Sequence, residues 1–190
     1  MGGPSVAVLL QKAPAMRPLS RIIASIGTDV TALGAERHFW MLNTDVLGVP
    51  STGEVQGCRF SLYLDTEHSD PGYYEDCVLE LLDLLGYTPE AVVTLEAWCN
   101  RPVDHRLLGA LALYLAEQFG GVIDLGSKVS PPRPGIFGEK VSIEEVRAYT
   151  KQIGGTALEC WPADRESFHH IVDVVFLRAW LSHPNFHIVK

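Results

Sequence analysis

Hydrophobic positions recur along this chain with two different periods, and each change of period marks an element. Val6 to Leu10 is a short, nearly continuous apolar run, the pattern of a buried strand. Met16, Leu19, Ile22, Ile23 and Ile26 then follow helical spacing. Pro14 and Pro18 stand near the start of that helix, where a missing N–H costs little, and Gly27 ends it. Arg37 to Leu42 reads as the second strand, and Asn43 to Gly57, rich in Gly, Pro, Ser and Thr, as a loop. From Cys58 to Asp65 the period is two. Cys58, Phe60, Leu62 and Leu64 fall on one face, and Arg59, Ser61, Tyr63 and Asp65 on the other. Tyr74, Cys77, Val78, Leu81, Leu82 and Leu85 return to helical spacing. Ser69 or Asp70 can cap that helix, Pro71 sits near its first position, and Gly86 stops it.

Ala91 to Cys99 is the next strand, and Asn100-Arg101-Pro102 a turn. Asp104 is placed to cap a long helix carrying Leu107, Leu108, Leu111, Tyr114, Leu115 and Phe119. Gly120-Gly121 ends it, and Val122 to Leu125 is a short strand close behind. Gly126 to Gly138 contains Pro131, Pro132, Pro134 and Gly135 and reads as an exposed loop. Ser142 and Glu145 have capping-box spacing and open a short helix to about Ile153. Ala157 to Trp161 and Phe168 to Val172 read as strands, Asp173 to Leu181 as the last helix, and Phe186 to Val189 as a terminal strand.

The first hundred residues thus read strand, helix, strand, strand, helix, strand, the order of a ferredoxin-like βαββαβ unit. The fold expected is α+β: a ferredoxin-like N-terminal half with an extended sheet and additional helices C-terminally. The organisation expected is a core over residues 1–125, a Pro/Gly-rich loop over 126–141, and an extension over 142–190 packed on the same core.

Composition narrows the class. With 190 residues, 47% hydrophobic and 20% charged, the chain can bury roughly 70% of its unfolded surface and needs no metal or disulfide to fold. Its net charge of −8 repels phosphate backbones, so nucleic acid is not an expected partner. No apolar run reaches membrane-spanning length, and Met1 to Ser5 lacks the basic and apolar regions of a secretory leader. The four cysteines form no C-x-x-C pair and are expected as free, small, buried hydrophobes, as in a reducing compartment. A cytoplasmic protein is the consistent expectation.

Candidate chemistry is sparse. No G-x-S-x-G, H-E-x-x-H or phosphate loop is present. Asp65 to Asp83 holds Asp65, Glu67, Asp70, Glu75, Asp76, Glu80 and Asp83 without a Lys or Arg. This stretch suits a basic protein partner, or simply a solvated loop and helix face. Asp65, Glu67, His68 and Asp70 have donors for a cation but not the spacing of a calcium loop. Tyr73 and Tyr74 beside them suit a protein-binding surface, whereas Trp40, Trp98 and Trp161 lie in strands and are expected to be largely core. Asn100, Arg101, Asp104 and His105 gather at a helix start, where unpaired N–H groups favour an anion, unless Asp104 takes those donors itself. His169 and His170 point to opposite faces of a strand, and Pro184 spoils a helical pairing of His183 with His187, so no metal site and no cofactor is expected.

Three stretches together resemble an uncharacterised actinobacterial family of domains of unknown function: Glu67 to Asp76, Asp104 to Gly109 with Gly120 to Gly126, and Phe176 to Phe186. The resemblance spans nearly the whole chain and carries no known chemistry, so it transfers no functional residue. Leu111 to Gly126 is also similar to a helix–strand unit of small bacterial proteins found near polymorphic toxins, immunity proteins among them. That resemblance implies an acidic, cytoplasmic α+β protein that binds a partner without catalysis.

The leading expectation is a non-enzymatic protein-binding module, of the immunity or regulatory kind. Its acidic surface would comprise Asp65, Glu67, His68, Asp70, Tyr73, Tyr74, Glu75 and Asp76. The alternative is a small-ligand binder or enzyme whose site joins Glu67 and His68 to Asp104 and His105, with Asn100 and Arg101 beside them. A third reading, a homo-oligomeric structural protein, needs an apolar patch that periodicity does not reveal.

Overall fold

The computed structural model describes residues 3–33, 36–66, 81–82, 85–132, 141–161 and 167–188. Eight strands and four helices of the described residues make an α+β fold. The strands are β1 (Ser5–Leu10), β2 (Gly27–Leu33), β3 (Glu36–Met41), β4 (Gln56–Asp65), β5 (Ala91–Ala97), β6 (Gly121–Asp124), β7 (Ala157–Cys160) and β8 (His169–Val172). The helices are α1 (Met16–Ile26), α2 (Pro102–Phe119), α3 (Ile143–Ile153) and α4 (Val174–Leu181). One sheet holds every strand in the order β2-β3-β4-β5-β1-β6-β8-β7, and each neighbouring pair is antiparallel.

The alternating pattern settles which face is covered. Val6, Val8 and Leu10 of β1, Cys58, Phe60, Leu62 and Leu64 of β4, and Val93 and Leu95 of β5 point into one cluster. Leu19, Ile23 and Ile26 of α1, Leu107, Leu108, Leu111 and Leu115 of α2, and Phe176, Leu177 and Trp180 of α4 close over it. On the opposite face Leu9, Val122, Cys160 and Ile171 meet Leu81, with Leu85 and Val92 packed at the margin. β1 therefore lies between two apolar layers, which is why its run of hydrophobic residues shows no alternation.

Several caps act as the sequence predicts. The Ser142 hydroxyl accepts from the Glu145 N–H at 3.2 Å, and Glu145 accepts from the Ser142 N–H at 2.8 Å. Asp173, read from the sequence as part of the last helix, is instead its N-cap, and its carboxylate accepts from the Phe176 N–H at 2.7 Å. Gly86, at φ +68°, ends the helical turn that includes Leu82, whose carbonyl accepts its N–H. The rest of the helix expected over 74–85 lies largely outside the described residues.

Four expectations are corrected. First, the chain adds a strand, β2, directly after α1. It is an exposed edge strand with no buried face to impose a period, and it carries a bulge at Asp29, φ 51°. Second, the N-terminal half is not a ferredoxin-like unit. That arrangement keeps the two strands joined by a helix parallel, with another strand between them. Here β4 and β5 are adjacent and antiparallel, Phe60 facing Ala97 and Leu64 facing Val93. Third, residues 186–188 form no strand. The Ile188 N–H donates to His105 Nδ1 of α2 at 3.1 Å instead of to a sheet neighbour. Fourth, Cys58 and Cys99 are free, but Cys160 is disulfide-bonded. No helix of the described residues is long and apolar enough to cross a membrane.

Candidate functional site

The start of β4, the end of β5 and the start of α2 meet at one corner. Arg101 is the N-cap residue of α2, Pro102 its first residue, and Asp104 its third. Asp104 therefore does not cap the helix from the N-cap position, as its place before the apolar run suggests. With Pro102 supplying the first helical φ, the carboxylate folds back from inside the first turn. It is fully buried and accepts the Cys58 N–H at 2.8 Å and the Arg101 N–H at 2.9 Å. The Arg101 guanidinium adds two more bonds, at 2.9 and 3.0 Å. Burial alone pushes the Asp104 carboxyl up. The Arg101 side chain, the Arg101 amide and charge, and the Cys58 amide together hold it below its ordinary value.

Gly57 makes this contact possible. Its φ is +73°, and a Cβ there would stand 2.9 Å from Leu107 Cδ1 and 3.0 Å from Asp104 Oδ1. Beyond it, Cys58 lies buried beneath exposed Cys99, whose N–H donates to the Cys58 sulfur at 3.1 Å. Burial is the main cause that raises the Cys58 thiol to about 12, and the Asp104 charge adds to it. His105 accepts from Ile188 and is held below its ordinary pKa, chiefly by burial and despite that bond. The corner thus brings Arg101, Asp104 and His105 together beside Asn100, but commits the Asp104 carboxylate and His105 Nδ1 to tying β4, α2 and the C-terminal segment together. The carboxylate itself takes the donors at the positive helix start, the alternative to an external anion there.

The second feature is the sheet face opposite the helices. In successive cross-strand rows, Thr28, Trp40, Arg59 and Trp98 stand side by side, then Thr31, His38, Ser61 and Glu96, then Leu33, Glu36, Tyr63 and Thr94. Trp40, Tyr63 and Trp98 are 36%, 41% and 47% exposed, so the expectation that the strand tryptophans are core fails for two of them. The reason is that they fall on the polar phase of the alternation, in register with Arg59. Arg59 lies 4.8 Å from the Trp98 ring centre and donates to the Thr31 hydroxyl. His38 meets the same ring edge-on at 5.6 Å, and its Nε2 lies 3.4 Å from Glu36.

Of the expected acidic binding surface, Asp65 closes β4 on this same face, half-buried and opposite Val92. Glu67, His68, Asp70, Tyr73, Tyr74, Glu75 and Asp76 lie outside the described residues, and so does any meeting of Glu67 and His68 with Asp104 and His105. His169 and His170 are both buried. His170 Nδ1 accepts the Val129 N–H at 2.9 Å, and His169 Nε2 lies 3.4 Å from Asp124. His183 and His187 pack around the Trp180 ring.

No curated protein and no solved structure matches the chain. A family model matches residues 2–190, and the chain belongs to that family, a family of unknown function, DUF6368.

Proposed function

We propose that the protein is a non-enzymatic protein-binding module, of the immunity or regulatory kind, that docks a partner on the face of β2 to β5. The observation that carries this reading is the row Trp40–Arg59–Trp98, its two tryptophans exposed, with exposed Tyr63 on the same face two rows further along β4. Trp, Tyr and Arg are the residues that dominate binding energy when a partner desolvates them. Here they stand on a rigid sheet, so little side-chain entropy is lost on docking. Glu36, Glu96 and Asp65 share the face, and in the sequence Asp65 opens the acidic stretch that runs to Asp83. With a net charge of −8, that arrangement favours a partner with an apolar centre and a basic rim.

The test is a parallel affinity purification from the native host, with quantitative mass spectrometry. The baits are the wild-type chain, Trp98→Ala with Arg59→Glu, and Lys151→Ala on α3 as a control away from the face. One stoichiometric protein, reduced about tenfold or more by the face variant and not by the control, is expected. Charge reversal at Glu67 and Asp70 should then slow association with that protein, most at low salt. Equal capture by all three baits, or no stoichiometric protein, overturns the reading.

A further inference from the structure

The β4–β5 ladder sets two cysteines against each other. Phe60 faces Ala97, and the Trp98 N–H donates to the Arg59 carbonyl. One step further along the same register, Cys58 stands opposite Cys99. The Trp98 N–H bond to Arg59 puts the next pair at a non-hydrogen-bonded position, where a regular antiparallel ladder brings Cα atoms to about 4.5 Å. That separation falls within the range a disulfide bridges. The two sulfurs and an Asp104 oxygen all lie within 4.8 Å of one another. Cys58 is buried, its sulfur accepting the Cys99 N–H, and Cys99 is exposed.

Two thiols and a carboxylate also suggest a metal. The hydrogen bonds argue otherwise. Asp104 Oδ1 already accepts from Cys58 N and Arg101 Nη2, and Oδ2 from Arg101 N and Nε. A carboxylate offers about four acceptor positions, all of which are used here, and the guanidinium would oppose a cation.

We infer that Cys58 and Cys99 are a reversible dithiol–disulfide pair that staples β4 to β5 beside the Arg59–Trp98 row. The oxidant is a low-molecular-weight disulfide. The Cys99 thiolate attacks one of its sulfurs, forms a mixed disulfide and expels one thiolate. Cys58, losing its proton, attacks the Cys99 sulfur, closes the Cys58–Cys99 bond and expels the second thiolate. The pair gives up two protons and two electrons, and the small disulfide becomes two thiols. Exposed Cys99 is the entry point, and buried Cys58 resolves. Because the Cys58 thiol is raised to about 12, closure should accelerate about tenfold per pH unit through the neutral and mildly alkaline range. The inference stands whether or not the sheet face binds a protein.

The experiment equilibrates the full chain in graded glutathione buffers, quenches with an alkylating reagent and maps peptides by mass spectrometry. Mapping separates this link from the disulfide at Cys160. In the wild type a Cys58–Cys99 link is expected, appearing over a narrow range of buffer ratio and reversed by reductant. In Cys58→Ser a stable glutathione adduct should accumulate on Cys99, and in Cys99→Ser neither link nor adduct should form on Cys58. A wild-type chain that stops at the Cys99 adduct, or keeps both thiols alkylatable at every ratio, overturns the inference. The wild-type arm alone suffices should either variant fold poorly.

Discussion

Replacing Asp104 should cost more stability than any other single polar change at the corner, and the bonds say roughly how much. In Asp104→Ala the buried Cys58 N–H loses its partner, at about 1–3 kcal/mol. The Arg101 N–H at the helix start loses its partner too, a capping loss of about 0.5–2 kcal/mol. Water reaches the second group more easily than the first, so about 3 kcal/mol in total is expected. Asp104→Asn keeps one oxygen for Cys58 but turns an NH₂ toward the Arg101 N–H and Nε, so about half that loss is expected. Arg101→Ala should cost less than either, because its guanidinium is over half exposed while Asp104 is not exposed at all. The charge sets the pH dependence. The folded carboxyl titrates below its ordinary 3.8, so its stabilisation is complete above that value. It is lost as pH falls through the lower folded value. The wild type should therefore approach Asp104→Asn as the solution is acidified. Urea unfolding followed by fluorescence of the four tryptophans measures both effects. An Asp104→Ala loss under about 0.5 kcal/mol, the range of an ordinary surface change, would refute the reasoning. So would a gap to Asp104→Asn that is unchanged by acid.

His170 is held at about 4, by burial first and then by His169 and Lys128, against the Glu159 charge that raises it. A depressed histidine favours the native state above its unfolded value, near 6.5, and loses that contribution as pH falls toward about 4. The wild type should lose on the order of 3 kcal/mol across that range. His170→Asn, whose side-chain oxygen can still accept from Val129, should show a flatter urea-midpoint profile, with a remnant slope from His105. Gly57→Ala should cost about 1–3 kcal/mol, from positive φ plus the contacts with Leu107 and Asp104. Gly53→Ala, at φ +77° with open space around it, should cost less in the same thermal melts, and equal losses would show that packing at Gly57 adds nothing.

What the sequence makes legible follows from which elements have one buried side. β4 alternates because α2 covers only one of its faces, so Cys58, Phe60, Leu62 and Leu64 announce both the strand and its orientation. The same alternation sets Arg59 and Tyr63 outward, and with them half of the exposed face. β2 gives no such signal because almost all of it is exposed. Phe186 to Ile188 imitates a strand, but its apolar residues fit the surface of α2. Gly109 leaves the space there, since a Cβ would stand 2.7 Å from the Phe186 ring. His105 then takes the Ile188 N–H that a sheet would have used. Asp104 and His105 were visible as candidates, but their roles depend on where Cys58 and Ile188 arrive, 46 and 83 residues away in the chain.

The least legible relation is the one between neighbouring rungs. Period two tells which residues of β4 share a face, but not which residues of β5 stand opposite, and that register links the thiols to the aromatic row. Cys58 and Arg59 are adjacent in β4, as Trp98 and Cys99 are just past the end of β5, and they point to opposite sides of the sheet. Drawing Cys58 and Cys99 to bonding distance beneath the sheet therefore moves the backbone that carries Arg59 and Trp98 above it. The Arg59–Trp98 stacking distance of 4.8 Å is the contact most exposed to that movement. Trp98 emission should consequently change when the chain is oxidised and return when it is reduced. Tyr149→Phe, on the far side of the core next to Trp180, should leave that response intact.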